Sequence, residues 1–211
     1  MISEWWLELV PVGALPPTVL SDLSNDLGSC LHREVRVADS VLDPGPAFDP
    51  ERRQYLATEL MCQLLEPPPG PAERRIGIAA VDLFLPVFTH VFGTAQLGGH
   101  VGVASFYRLR PEYSGAPQDI GRMRERLAKE ALHELGHTLG LVHCRQPWCV
   151  MAASRLPEEI DLKDLQFCDA CAEHLQRPGR RGVEGGGDAG GRSTAHQGSQ
   201  PPLANVEPLS D

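Results

Sequence analysis

Three histidines and a glutamate occur together in the segment HELGHTLGLVH, residues 133–143. His133 and His137 are four positions apart, so on a helix they lie on one face and both imidazoles can reach one metal ion. Glu134 follows the first histidine, where its carboxylate can reach a water molecule bound to that metal. These residue types and their spacing therefore predict a metal-dependent hydrolytic site on a helix.

Gly140 supplies the turn that a third ligand needs. A helix commonly ends with a residue in the left-handed conformation, which glycine adopts without steric cost. The chain beyond this turn can then bring His143 back toward the first two histidines. Three neutral imidazoles leave the fourth position of a zinc ion open, which is typical of catalytic zinc. The alternative interpretation is a surface helix with scattered histidines.

Four cysteines follow the histidines in two close pairs, Cys144 with Cys149 and Cys168 with Cys171. This spacing is typical of a tetrahedral four-cysteine zinc site. Because a closed shell of four thiolates leaves no place for water, we expect a structural zinc that clamps the chain after the catalytic helix onto the last helix. Buried free thiols, or two disulfides in an exported protein, are the alternatives.

Hydrophobic periodicity and chain breakers predict the elements that must hold these residues in place. We expect helices at residues 17–29, 50–65, 118–139 and 161–176. We expect strands at residues 34–38, 75–85 and 101–108. Strands and helices alternate first and helices dominate later, which predicts an α+β fold with an α/β-like N-terminal part.

Composition divides the 211-residue chain into two unequal parts. Residues 177–211 contain 12 glycines and prolines and no aromatic residue, so they cannot bury enough apolar surface to order themselves. We predict one compact domain at residues 1–176, with the cysteine site at 144–171, and a disordered tail at 177–211. The formal charge of −9 belongs to the first part and argues against a general nucleic-acid binder.

The sequence also indicates a compartment. No run of 18 or more apolar residues occurs, and the first residues lack a basic region, so we expect neither a membrane span nor a signal peptide. A cytoplasmic, reducing location favours metal binding by the paired cysteines over disulfides. Cys30 and Cys62 have no paired spacing, and we expect them to be ordinary buried side chains.

The histidine motif, followed by Cys144 and Cys149, then Met151, then Cys168 and Cys171, resembles the signature of the archaemetzincins, a branch of the metzincin zinc metalloproteases. The specific part of the resemblance covers residues 133–171. The resemblance implies a metzincin-like domain with a mixed twisted sheet, a long active-site helix and a Met-turn.

The resemblance also implies two zinc ions per chain and a role for each residue of the motif. His133, His137 and His143 would bind the catalytic zinc, and Glu134 would act as general base and acid. Met151 would be the Met-turn residue beneath the metal. A second zinc would be held by the four cysteines, which are Cys144, Cys149, Cys168 and Cys171.

The expected function is hydrolysis of peptide bonds by attack of a zinc-bound water. We expect a monomer that acts on small or unfolded peptides, in an aminopeptidase mode, and binds neither nucleic acid nor membrane. The strand at 101–108 is the expected cleft rim, where an extended substrate adds by backbone hydrogen bonds. The alternatives are a zinc-stabilised binding module with a vestigial histidine site and an amidase acting on non-peptide amides.

Overall fold

The computed structural model describes residues 5–176. The predicted disordered tail at 177–211 lies outside the described residues. In the described part, eight strands are present: β1 (Trp6–Val12), β2 (Val35–Val37), β3 (Phe48–Asp49), β4 (Gln54–Leu56), β5 (Glu73–Ala79), β6 (Leu83–Phe84), β7 (Gly93–Ala95) and β8 (Val101–Ser105). The α-helices of this part are α1 (Pro17–Leu31), α2 (Ala57–Leu64), α3 (Ile120–Thr138), α4 (Pro157–Asp161) and α5 (Asp169–Gln176).

The main sheet is mixed and has the strand order β2-β1-β5-β8-β7. The first four strands are parallel, and β7 runs antiparallel to β8 at one edge. A second, small sheet has the order β3-β4-β6. This architecture confirms the predicted α+β fold with an α/β-like N-terminal part and a mixed sheet.

Helices cover both faces of the main sheet, which is why its central strands are apolar on both sides. In β1, Leu7 and Leu9 pack with α1 and α3, whereas Val10 and Val12 pack with α2 on the opposite face. The alternation follows the two-residue period of a strand. The long helix α3 is therefore held directly against the sheet. No helix among residues 5–176 is long and apolar enough to cross a bilayer.

The predicted helices at 17–29 and 118–139 and the predicted strand at 34–38 correspond to α1, α3 and β2. The predicted helix at 50–65 is wrong in its first part, because β4 precedes α2 there. The backbone N–H of Tyr55 donates to the Asp82 carbonyl, and the side-chain amide of Gln54 bonds to Asp82 and Thr89. These long-range pairings override the helical period.

The apolar run at 75–85 forms two strands in different sheets rather than one. The chain leaves the main sheet after Ala79, and the hydroxyl of Ser105 donates to the Val81 carbonyl at 2.6 Å in the bend. Leu83 and Phe84 then pair with β4. An apolar run alone does not show where a buried strand breaks.

The predicted strand at 101–108 ends at Ser105, and it is not the edge of the sheet. It lies between β5 and β7, so its backbone groups are paired on both sides. The edge on this side is β7, a strand of three residues that hydrophobic periodicity could not detect. The expectation that residues 101–108 form the edge strand is therefore wrong, and residues 93–95 form this edge of the sheet.

The predicted helix at 161–176 is divided into α4 and α5 with an extended segment between them. Asp164 donates its backbone N–H to the Trp148 carbonyl at 2.8 Å. In return, the N–H of Val150 donates to the Gln166 carbonyl at 3.0 Å. This pairing with the loop at 148–150 takes the backbone groups that a continuous helix would have used.

Candidate active site

Helix α3 carries the first two histidines, and its two ends are fixed by local structure. The side chain of Asp119 accepts the N–H of Arg122 at 2.9 Å and caps the start of the helix. At the other end, Gly140 has a φ of 91°, the left-handed turn predicted from the sequence. The N–H of Leu141 bonds back to the Gly136 carbonyl, which completes the turn and directs the chain toward His143.

The ring nitrogens of His133, His137 and His143 lie within 4.8 Å of one another. The Nδ1 of His133 is 2.7 Å from the Val150 carbonyl oxygen, and the Nδ1 of His137 is 2.8 Å from that of Leu141. Because a carbonyl only accepts, each Nδ1 carries the proton and each Nε2 keeps its lone pair. These two Nε2 atoms are 3.0 Å apart. The rings are thus oriented with lone pairs converging on one point.

Two of the three imidazoles, those of His133 and His143, have pKa values shifted in favour of the neutral form. Burial lowers the pKa of His133 well below its usual value, and the nearby His137 lowers it further. Burial and His137 also lower the pKa of His143, to about 4. Since a metal ligand must be deprotonated, these shifts keep the cluster ready to bind a cation at neutral pH.

The carboxyl group of Glu134 is buried beside the histidines, and its residue is 3% exposed. Its Oε2 has no hydrogen-bond partner among the described residues. Burial raises the pKa of this carboxyl well above its ordinary value, and Glu130, one helical turn earlier, raises it further. A buried, unpaired carboxyl oxygen of this kind suits a position that receives water or substrate.

Gly93 at the start of β7 makes room for that carboxyl. A Cβ atom at this position would lie 2.5 Å from Oε1 of Glu134 and 2.8 Å from the Val103 carbonyl oxygen. Only a residue without a side chain therefore allows the edge strand and Glu134 to coexist. The sequence reasoning missed Gly93, because the contact joins two elements that are 41 positions apart in the chain.

Met151 is fully buried and packs against α3 at Gly136. The nearest neighbour of a Cβ built at Gly136 would be the Met151 sulfur. The glycine of the HELGH segment therefore leaves the space that the thioether occupies. The carbonyl of Met151 also accepts the N–H of Cys144 at 2.9 Å, which ties the loop after His143 to this residue.

A group of buried ionisable side chains near the histidines was not predicted from the sequence. Glu130 and Glu134 project from successive turns of α3, and Lys163 faces both carboxyls from the segment between α4 and α5. Glu130 is 5% exposed and Lys163 is 4% exposed. The four-residue spacing of the two glutamates was visible in the sequence, but the position of the lysine depends on tertiary folding.

The four paired cysteines form a separate cluster in which all sulfur atoms lie within 4.8 Å of one another. The Sγ atoms of Cys144 and Cys168 are 3.7 Å apart, and those of Cys149 and Cys171 are 3.9 Å apart. All four are free thiols, so the disulfide alternative is not the arrangement present. Backbone N–H groups donate to two of the sulfurs, from Gln146 to Cys144 and from Cys168 to Cys149. Burial nevertheless raises the pKa of the Cys149 thiol.

The other two cysteines lie apart from this cluster. Cys30 in α1 is half-buried and donates its thiol to the Leu165 carbonyl at 2.9 Å. Cys62 in α2 is also half-buried. Both are less buried than the sequence led us to expect, and neither belongs to the four-cysteine cluster.

Comparison with known proteins gives one consistent result. The sequence model described as peptidase family M54 matches residues 72–177. The archaemetzincin of Pyrococcus abyssi is 37% identical over 175 residues, which is 80% of this chain and 93% of that protein. The chain belongs to peptidase family M54, the archaemetzincins. As a member of this family it is a zinc-dependent metallopeptidase, and its substrate is a peptide or protein.

Solved archaemetzincin structures confirm the fold. The archaemetzincin of Archaeoglobus fulgidus, complexed with malonate, has a TM-score of 0.69 and 31% identity, covering 80% of this chain and 98% of that one. A zinc-dependent peptidase from Methanocorpusculum labreanum has a TM-score of 0.72 and 28% identity, covering 80% and 99%. The resemblance predicted from the motif is thus confirmed over most of the chain.

Proposed function

We propose that this archaemetzincin hydrolyses peptide bonds at the cluster of His133, His137 and His143, with Glu134 as the general base. One observation carries the proposal: an unpaired, buried oxygen of Glu134 lies on the helix whose histidine lone pairs converge. A carboxyl group and a three-imidazole cluster in one buried site are the parts that metal-assisted hydrolysis needs.

The donor set of the histidine cluster fits zinc. The three imidazoles match the ligands of catalytic zinc sites. Those of His133 and His137 are each held by a backbone carbonyl through Nδ1, which is the usual outer contact of a zinc-bound histidine. Zinc bound there would supply Lewis acidity that acidifies water and polarises the scissile carbonyl. We further propose that Met151 supports this centre from below as the Met-turn residue, since its thioether packs on α3 at Gly136, the residue before His137.

Glu134 moves the protons in this scheme. Its carboxylate takes the proton of the attacking water and later delivers a proton to the amine that leaves. Burial and Glu130 raise the pKa of Glu134, which brings the group nearer to the pH at which one residue can both accept and donate. Gly93 allows the carboxyl to stand close to the edge strand, where a substrate carbonyl would lie.

We propose a second, structural zinc held by the four cysteines, and therefore two zinc ions per chain. Four thiols whose sulfurs all lie within 4.8 Å form a closed, soft donor set, which is the chemistry of a structural zinc site. Such a site fixes the loop after the histidine motif to α5, because Cys144 and Cys149 come from the loop and Cys171 from the helix.

The substrate would bind as an extended strand along β7. The N–H of Ser105 donates to the Phe92 carbonyl, and the N–H of Gln96 donates to the Val101 carbonyl. Along an antiparallel strand, alternate residues direct their N–H and C=O groups to opposite sides. Because Phe92 and Gln96 bond to β8, the backbone groups of Gly93 and Ala95 point to the open side of β7. A small or unfolded peptide can pair with this edge, and a folded protein cannot. Trimming of N-terminal residues remains our proposal for the mode of cleavage.

We also propose that residues 1–176 form one catalytic unit that acts as a monomer, with residues 177–211 as an appendage. The support is that both ligand clusters lie between His133 and Cys171. A reducing location, the cytoplasm, is proposed because the four thiols must stay reduced to bind metal.

A peptide-library digest read by mass spectrometry tests the function. The zinc-loaded wild type should cleave, and Glu134→Gln should lose about 10²–10⁴-fold in rate while keeping its zinc, because only the proton acceptor is removed. Glu34→Gln, at an exposed glutamate far from α3 in the chain, is the matched control and should cleave normally. Peptides with blocked N-termini separate N-terminal trimming from internal cleavage.

Undiminished cleavage by Glu134→Gln would exclude this mechanism. Binding of peptides without cleavage by the wild type would favour the binding-module alternative. Hydrolysis of small amides but of no peptide would favour the amidase alternative.

A further inference from the structure

The chain contains two lysines, Lys129 and Lys163, and both are almost completely buried, at 3% and 4% exposure. A buried ammonium group is costly unless its partners compensate for the lost hydration. Lys129 has an evident partner, because its Nζ is 2.6 Å from a carboxylate oxygen of Glu125 on the same helix. Lys163 has no ion pair of this kind among the described residues, so its burial needs another explanation.

The ammonium group of Lys163 donates to the carbonyl oxygen of Val150 at 3.4 Å. The same oxygen accepts the Nδ1–H of His133 at 2.7 Å. One carbonyl is therefore held between a buried lysine and the imidazole that it orients. The N–H of Val150 is fixed as well, by its bond to the Gln166 carbonyl at 3.0 Å.

The surroundings of Lys163 are acidic on the side of α3. Glu130 and Glu134 face the ammonium group from the helix, and Glu159 of α4 contributes further negative charge. The Cys149 thiol of the loop also lies near it. A positive charge at this point offsets the repulsion between the two carboxyls that α3 brings together. Lys163 thus contacts the Val150 carbonyl that orients His133, and it also faces the carboxyl of Glu134.

We propose that Lys163 is a positioning residue of the catalytic centre: it holds the Val150 carbonyl that orients His133 and supplies the positive charge opposite Glu130 and Glu134. The inference rests on the proposed function, in which the three histidines hold a metal. The lysine acts through other groups and does not itself touch the substrate.

Cobalt(II) loading of the full chain tests this inference, since the two clusters give different spectra. Cobalt among four thiolates has an intense sulfur-to-metal charge-transfer band, whereas cobalt on three imidazoles has only weaker visible bands. Titration therefore gives a separate affinity for each cluster without any measurement of activity. The variants are Lys163→Met, Lys163→Arg and, as the matched buried control, Lys129→Met.

Lys163→Met should weaken cobalt binding at the histidine cluster by about 10–100-fold, the effect of losing an outer contact of a metal ligand. The charge-transfer band of the cysteine cluster should keep its wild-type titration. Lys163→Arg, which retains the positive charge and the donors, should recover most of the lost affinity, and Lys129→Met should match the wild type at both clusters.

Wild-type affinity of Lys163→Met at the histidine cluster would overturn the inference while leaving the proposed function intact. An equal loss in Lys129→Met, or an equal loss at both clusters, would show that the lysine only supports the fold and would also overturn it. Failure of the wild type to bind cobalt at the histidines would instead refute the proposed function, and the inference with it.

Discussion

Two glycines, one beside the active-site helix and one within it, leave room for the side chains of Glu134 and Met151. Gly93 has no side chain to collide with Oε1, and Gly136 leaves its space to the thioether of Met151. The carboxyl is consequently close to both the edge strand and the histidine cluster. Small residues at these two positions fix the geometry as much as the ligands do.

Replacing Gly93 with alanine tests this reading. The new Cβ would displace the Glu134 carboxyl, and misplacement of a reacting group by about 1 Å can cost about 10²-fold in rate. We expect kcat to fall by that order while zinc content stays at the wild-type value, as measured by steady-state assays and metal analysis. Gly121→Ala, in the exposed first turn of α3, is the control and should leave kcat unchanged. Unaltered kcat in Gly93→Ala would contradict the reading.

Single residues were predictable where the signal is local. The spacing of His133, Glu134 and His137 depends on one helix, and Gly140 on one turn, so the sequence selected residues that the structure places together. Gly93 and Lys163 act through partners in other elements, and no spacing along the chain encodes such contacts. Their detection required the fold.

At the scale of elements, an ion pair holds α4 to the active-site helix. The guanidinium of Arg126, 3% exposed, bonds both carboxylate oxygens of Asp161 at 2.6 and 2.7 Å and also the Leu109 carbonyl. The hydrogen bonds and charge of Arg126 lower the pKa of Asp161. The pair therefore fixes the element that precedes the segment carrying Lys163.

Asp161→Asn should destabilise the fold at neutral pH by about 1–3 kcal/mol, since it leaves a buried guanidinium without its anion. The pKa of Asp161 is lower in the folded state than in the unfolded state, where it is about 4. The contribution of Asp161 to the free energy of unfolding is therefore fully present above the unfolded-state pKa and is lost as the pH falls through the folded-state pKa. Urea unfolding at pH 7 and below pH 4 should show wild type and variant converging in acid.

Glu34→Gln is the control for that prediction, because Glu34 and Arg36 form an exposed pair that should contribute little. A gap between wild type and Asp161→Asn that stays constant down to strongly acidic pH would contradict the assignment of the effect to this ion pair.

The edge strand gives a second test at this scale. Ala95→Pro would remove an outward N–H of β7 without removing a bond to β8. We expect KM for peptides to rise about tenfold, because one hydrogen bond to the substrate is lost. The zinc content should be unchanged. Ala95→Gly keeps the N–H and serves as the control. A wild-type KM in the proline variant would show that substrates do not pair with β7.

Long, periodic elements were predictable and short, paired ones were not. The period of α3 over 19 residues is strong, and its predicted bounds differ from the observed ones by one or two positions. Strands of two or three residues such as β6 and β7 exist only because a neighbour pairs with them. The error over the cleft rim arose here, since β8 has the clearer apolar pattern but β7 occupies the edge.

At the scale of the whole molecule, one loop contributes residues to both ligand clusters. Residues 143–151 supply a histidine, two cysteines, the Val150 carbonyl and Met151, so the two ligand clusters share a single segment. The sheet and α1 form the platform against which α3 is packed. We expect that a chain ending at Gln176 keeps both centres, because every group named in this account lies before that residue.

The central claim is that zinc occupies the histidine cluster beside Glu134, with a second zinc among the cysteines. Anomalous diffraction from crystals of the zinc-loaded protein, collected on both sides of the zinc absorption edge, locates both ions in one measurement. The account predicts two zinc peaks per chain, one bonded to His133, His137 and His143 and one bonded to the sulfurs of Cys144, Cys149, Cys168 and Cys171. A map without zinc among the three histidines would contradict it.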